Sequence, residues 1–115
     1  MGEGEAPLRI PPGMKVVGMA PAPEKLDPRN EASDVLVGAT IVTRIADFGW
    51  CVGKLEKKNT NGSRKIKGVM VNFIAKFEID ECMTDLALEA TEYDPSPDAA
   101  YESWLLLEPE EGGAE

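Results

Sequence analysis

Histidine is absent from this chain of 115 residues, and its two cysteines, Cys51 and Cys82, are too few for a disulfide framework. Without histidine, a general base near neutral pH would have to be a carboxylate or thiol with a strongly shifted pKa. No glycine-rich phosphate loop, paired-cysteine motif or nucleophile elbow is present either. The expectation is a protein that is not an enzyme and carries no cofactor. Asp80, Glu81 and Asp85 could meet around a hard cation, but acids at a hairpin turn are usually just solvated, and no metal is expected. No apolar run is long enough for a signal peptide or a membrane span, which points to a soluble intracellular protein with no membrane partner. Its thiols are expected to stay free and to pack as small buried hydrophobes.

Proline is missing from the middle of the chain. Six of the nine prolines fall in residues 1–28 and none lies between Arg29 and Asp94. A hydrogen-bonded sheet can run through such an interval without losing ladder donors. The expected organisation is a proline- and glycine-rich arm over 1–34, disordered or extended, a folded unit over 35–108, and an acidic disordered tail over 109–115. Bases are missing from the C-terminal third, where Glu78 to Glu115 contains thirteen acids and no base. By contrast, Lys54, Lys57, Lys58, Arg64, Lys65 and Lys67 put six bases in fourteen positions, against the single acid Glu56. With a formal charge of −9, the molecule should attract cationic partners and repel a polyphosphate except where the basic stretch faces it.

Alternation of apolar and polar residues places the strands. Residues 35–45 put Val37, Ala39, Ile41, Thr43 and Ile45 on one face and Thr40, Val42 and Arg44 on the other, the period of a half-buried strand. Residues 50–57 form a second strand, in which Gly53 marks a bend or a close backbone approach. Asn61-Gly62 is the preferred pair for a tight hairpin turn, leading into a third strand over 69–79 whose odd-numbered residues point inward. Cys82, Thr84, Leu86 and Leu88 alternate as a fourth strand, and 103–108 closes the set. Five strands in about 73 residues suit a small closed antiparallel barrel of the SH3-like kind, because closure removes exposed sheet edges.

The stretch 48–93 holds five of the seven aromatics. Phe73 and Trp104 read as core. Phe48 and Trp50 flank the first turn, and Phe77 ends the third strand just before the next, so these rings gather at one rim beside Glu78 and Asp80. Ring faces edged by carboxylates suit an alkylated ammonium group, each contact being worth roughly 0.5–2 kcal/mol. The plain alternative is that such rings are simply core.

The run Phe48-Gly49-Trp50-Cys51-Val52-Gly53-Lys54-Leu55 resembles the Phe-x-x-Trp-Tyr-x-Gly-x-Val pattern of Tudor, Agenet and related Royal-family domains. Residues 72–81, followed by Asp85-Leu86-Ala87-Leu88-Glu89, resemble the continuation of that pattern. The resemblance covers about 45 residues and implies a five-stranded SH3-like barrel that binds methylated lysine or arginine tails, or sometimes nucleic acid. Cys51 stands where such domains usually carry a cage aromatic, and Ile79-Asp80-Glu81 where they usually carry Asp-Gly. The layout of the whole chain is also similar to accessory domains beside mobile-element proteins.

The first functional expectation is therefore a monomeric, nuclear, chromatin-type module. It would hold a basic tail, such as a methylated histone peptide, at Phe48, Trp50, Phe77, Glu78 and Asp80. The alternatives are nucleic-acid backbone binding through Lys54, Lys57, Lys58, Arg64, Lys65 and Lys67, and a scaffold that has lost its cage.

Overall fold

The computed structural model of the chain describes residues 7–60, 65–66, 68–79, 81–94, 96 and 98–110. Within them run β1 (Met14–Val16), β2 (Thr40–Ile45), β3 (Gly49–Lys58), β4 (Lys65–Ile66), β5 (Val69–Met70), β6 (Phe73–Phe77), β7 (Met83–Leu86) and β8 (Trp104–Pro109). The helical pieces among the described residues are three short 3-10 turns, Pro23–Leu26, Glu31–Leu36 and Ala90–Glu92. The all-β class holds. Six strands form one sheet in the order β1-β8-β2-β3-β6-β7, with every neighbour antiparallel, while β4 and β5 pair only with each other. The sheet thus has six strands where five were expected, and among the described residues no ladder joins β1 to β7 to close it.

The additional strand comes from the proline-rich segment, and the reason lies in the central strands. In β2, Ile41 and Val42 are both fully buried, and in β8 so are Trp104 and Leu105. Successive residues of a strand point to opposite faces, so this part of the sheet is apolar on both. One face carries Ile41, Cys51, Leu55, Phe73, Ala75, Phe77 and Trp104. The other carries Val42, Trp50, Leu105 and Leu107, covered by Ala99 and by Leu8, Ile10, Met14 and Val16. β1 lies along β8 with Met14 opposite Pro109 and Val16 opposite Leu107.

Local hydrogen bonds set boundaries that alternation alone places wrongly. The first strand begins at Thr40 rather than at residue 35 because Asn30 starts a 3-10 turn over Glu31–Leu36. Its Oδ1 accepts the Ala32 N–H at 2.8 Å, and the Ser33 hydroxyl donates to its carbonyl at 2.6 Å. Gly38, at φ 91°, then turns the chain so that its N–H donates to the Leu55 carbonyl at 2.7 Å. The third strand is split before Phe73 at buried Asn72, whose backbone still bonds to Asn59 and Leu86 and whose side chain adds cross-links. Its Nδ2 donates to the Leu26 and Leu88 carbonyls at 2.9 and 3.0 Å, and its Oδ1 accepts the Leu88 N–H at 3.0 Å. The same strand ends at Phe77, where the Glu81 N–H donates to the Phe77 carbonyl at 2.7 Å, leaving Ile79 53% exposed rather than inward. The Asn61-Gly62 turn lies outside the described residues. Cys51 is buried and Cys82 exposed, both as free thiols.

Two contacts generate predictions. Gly53 faces Phe77 across the β3–β6 ladder, and a Cβ at Gly53 would sit 2.7 Å from Cδ1 of that ring. Gly53→Ala is expected to cost about 1–3 kcal/mol of stability through overpacking. A thermal melt identical to that of the unsubstituted protein would show that the ring simply moves aside.

Tyr93 ties the N-terminal segment to the sheet. Its hydroxyl donates to the Val17 carbonyl and accepts the Leu106 N–H at 3.2 Å, and its ring meets Trp104 edge-on at 4.9 Å. Burial pushes the Tyr93 phenol above its ordinary value of 10.0, opposed by the Leu106 N–H and assisted by the Glu108 charge. A phenol raised in the folded state contributes stability below its unfolded pKa and loses it as pH rises through the folded value. Tyr93→Phe should therefore lose about 1 kcal/mol at neutral pH. Its stability should fall less steeply than that of the wild type above pH 10, as read by urea midpoints across the alkaline range.

Candidate functional site

The β2–β3 turn is tight enough to force Asp47 and Gly49 to φ 76° and 83°, and the Phe48 N–H donates to the Ile45 carbonyl at 3.0 Å. Phe48 at its tip is 49% exposed. Trp50, two residues further, is buried with Val42, Leu105 and Leu107. Phe77 is buried on the other face with Ile41, Leu55 and Phe73. The reason is register. Phe77 pairs with Gly53 and so shares the face of Gly53 and Cys51, which leaves Trp50, one residue from Cys51, pointing the opposite way. The expected rim of Phe48, Trp50 and Phe77 is therefore not assembled. Glu78 is exposed beside β3, its N–H donating to the Val52 carbonyl at 2.9 Å, and Asp80 lies outside the described residues.

The basic stretch is partly dispersed. Lys54 and Lys57 are exposed, whereas Lys58 pairs with Asp34 at 2.5 Å. Lys65 belongs to β4, while its side chain, with Arg64 and Lys67, falls outside the described residues. Lys54 stands directly opposite Lys76. These two line a hollow of about 340 Å³ together with Glu56, Glu78 and Glu81, so bases and acids interleave there.

A different cleft is lined by three acidic residues of the C-terminal half. It encloses about 310 Å³ between the end of β2, β7 with its exit, the Ala90–Glu92 turn and the loop entering β8. Ile45, Phe77, Leu86 and Leu88 supply apolar walls, Tyr101 an exposed ring, and Glu92 and Glu102 acidic residues, while the carboxylate of Asp85, also in the lining, accepts an N–H of the Asn59 amide at 3.1 Å. Arg44 is its one base. The loop before β8 is laced to β2, because the Arg44 N–H donates to the Ser103 carbonyl at 3.0 Å and the Glu102 N–H to the Arg44 carbonyl at 2.7 Å. The Thr43 hydroxyl adds a bond to the Ser103 carbonyl at 2.9 Å, and Glu102 itself takes φ 76°. That lacing swings Tyr101 over the Arg44 guanidinium, 4.8 Å from the ring centroid, while an Arg44 N–H donates to the Ala99 carbonyl.

Sequence reading missed Arg44, Tyr101, Glu92 and Glu102 as members of one site. The excess of carboxylates beyond Glu78 pointed to acids in general, but nothing local links Tyr101 to Arg44, which the β2–β8 pairing brings together. A further hollow of about 470 Å³, lined by Leu26, Arg29, Asn59, Val69 and Asn72, marks the seam between the N-terminal segment and the sheet. Its Asn72 amide is already bonded to Leu26 and Leu88.

Among the described residues no three cysteine or carboxylate side chains come together as a metal-binding group, and no helix is long and apolar enough to cross a membrane. No family model matches the chain, and no curated protein or solved structure matches it significantly.

Proposed function

We propose that the chain is a non-catalytic binding module of the SH3-like, Tudor-related kind that holds a basic peptide segment in the cleft between β2 and β7. The strand order supports the architectural part. Setting β1 aside, the sheet reads β8-β2-β3-β6-β7, which is fifth-first-second-third-fourth, with the Ala90–Glu92 3-10 turn between the fourth and fifth. A small barrel of that order leaves its mouth where the fourth strand faces the first, and the cleft lies there. The single observation that supports the functional part is the lining, in which the acidic residues Glu92 and Glu102 stand beside apolar walls and an exposed ring, against one basic residue, Arg44, that is itself engaged. Such a lining attracts lysine and arginine side chains over long range and accommodates their aliphatic stems. A tail of histone type is one partner of that chemistry, and it would place the module in the nucleus.

Methylation should matter little, because Trp50 and Phe77 pack in separate clusters and leave no ring-walled cage at Phe48. A second reading, contact with nucleic-acid backbone along 54–67, is favoured by one observation: Lys54 and Lys76 are held side by side on the exposed sheet surface.

Titration with a short lysine- and arginine-rich peptide should perturb the amides of Ile45, Leu86, Glu92 and Glu102, and affinity should fall as salt rises. Replacing Glu92 and Glu102 by glutamine should weaken binding roughly 3- to 10-fold, as rim charges do. Trimethylation of the lysines should change affinity by no more than about fivefold, given a cation–π worth of about 0.5–1 kcal/mol at an exposed ring. Silence at these amides at millimolar peptide would remove the reading. Perturbation by duplex DNA, confined to Lys54, Lys57 and Lys76 and lost with salt, would favour the second.

A further inference from the structure

We infer that the basic segment binds as an extended strand that adds to the open edge of β7 and lengthens the sheet by one. The inference rests on the reading of the cleft as a basic-peptide site and specifies the form in which the segment is held. A cleft lying against a sheet face touches alternate residues of a strand. This one is lined by five consecutive residues, Thr84 to Leu88, so it runs along the edge. β7 pairs with β6 on one side, and among the described residues no ladder lies on the other. The carbonyl of Leu86 and both backbone groups of Leu88 are bonded to Asn72, which turns them toward β6. By alternation the backbone groups of Met83, Asp85 and Ala87 point outward, and those of Ala87 form no hydrogen bond among the described residues.

Sheets usually blunt an exposed edge with lysine, proline or a bulge. The other edge does so, since β1 carries Lys15 and comes just after Pro11-Pro12. β7 has neither residue, and its ladder with β6 runs in unbroken register. On the opposite wall of the cleft, the Arg44 and Ile45 carbonyls are already bonded to the Glu102 and Phe48 N–H groups, so an added strand bonds to β7 alone. Every neighbouring pair in the sheet is antiparallel, and the added strand should follow. Its residue opposite Leu86 then faces the apolar wall of Ile45 and Phe77, whereas those opposite Asp85 and Ala87 face outward and carry the N–H groups that bond to β7. An apolar side chain suits the first position and basic ones the others, because residues 78–92 contain six acids and no base. Lys76 stands opposite Met83, so the basic positions belong at the other end of β7, towards Glu89. The edge thus selects alternation, not merely charge. A second copy pairing at the same edge would set this acidic run against itself.

The test uses a short peptide alternating lysine and valine, the same peptide N-methylated at every lysine or at every valine, and the variant Ala87→Pro. Proline at 87 removes an N–H that has no partner among the described residues, so the ladder to β6 is untouched. The Trp104 indole N–H, bonded to the Glu89 carbonyl at 2.8 Å, reports that the variant is folded. The unmodified peptide should slow hydrogen exchange at the amides of Met83, Asp85 and Ala87. Methylation at lysine should weaken binding about 3- to 10-fold for each donor removed, and methylation at valine less than about twofold. Ala87→Pro should weaken it by about 3- to 10-fold. Loss confined to one methylated form supports the added strand. Equal affinity of the two forms, with the Ile45 and Leu86 amides still shifting, would mean that side chains alone hold the peptide; the strand would be overturned and the cleft reading left intact. Slow exchange at the β7 amides without peptide, growing with protein concentration, would give the edge to a second copy and overturn the strand as well. Absence of binding by the unmodified peptide would overturn both.

Discussion

A sheet that is apolar on both faces needs two covers, and most of this fold follows from meeting that need. The face of Ile41, Phe73 and Trp104 is covered by the curl of the sheet itself, with Leu36 and Leu88 at its margins. The face of Val42, Trp50 and Leu105 has no sheet to fold over it, so the N-terminal segment lies across it. Tyr93 holds the two solutions together, because its ring packs on Trp104 in one core while its hydroxyl joins Val17 to Leu106 at the edge of the other. The arm is in this sense part of the folded unit. Its proline content suits it to lie extended at a sheet edge, where missing N–H groups cost little.

The cleft follows from the same geometry. A ladder that stops at β7 leaves the interior open where β7 faces the end of β2, and apolar side chains such as Ile45 and Leu86 are left only half covered. The loop before β8, tied down by Arg44, Thr43 and Ser103, supplies the ring of Tyr101 and the acidic Glu102 at the margin.

Much of the architecture was legible along the chain. The inward face of β6, the close approach at Gly53, the burial of Phe73 and Trp104 and the closing strand all follow from alternation and from turn chemistry, which act over a few residues. Strand limits were less legible, because a side-chain bond such as that of Asn30 starts a 3-10 turn where alternation alone continues a strand. The aromatic rim failed for a related reason. Phe48, Trp50 and Phe77 cluster by turn position, but the side to which each ring points depends on the pairing of Gly53 with Phe77, which turn spacing does not specify.

By itself, the sequence determined that the chain is β-rich, where the central strands of its sheet run, and that charge divides into a basic stretch and an acidic remainder. Tertiary structure alone decided that the N-terminal segment covers a second core, that Trp50 and Phe77 lie on opposite faces, and that Arg44 meets Tyr101. The division has a physical cause: side-chain alternation repeats every two residues and is written locally. The register between strands, and the cover for a second apolar face, come from backbone pairings between residues far apart in the chain, and these exist only once the sheet has formed.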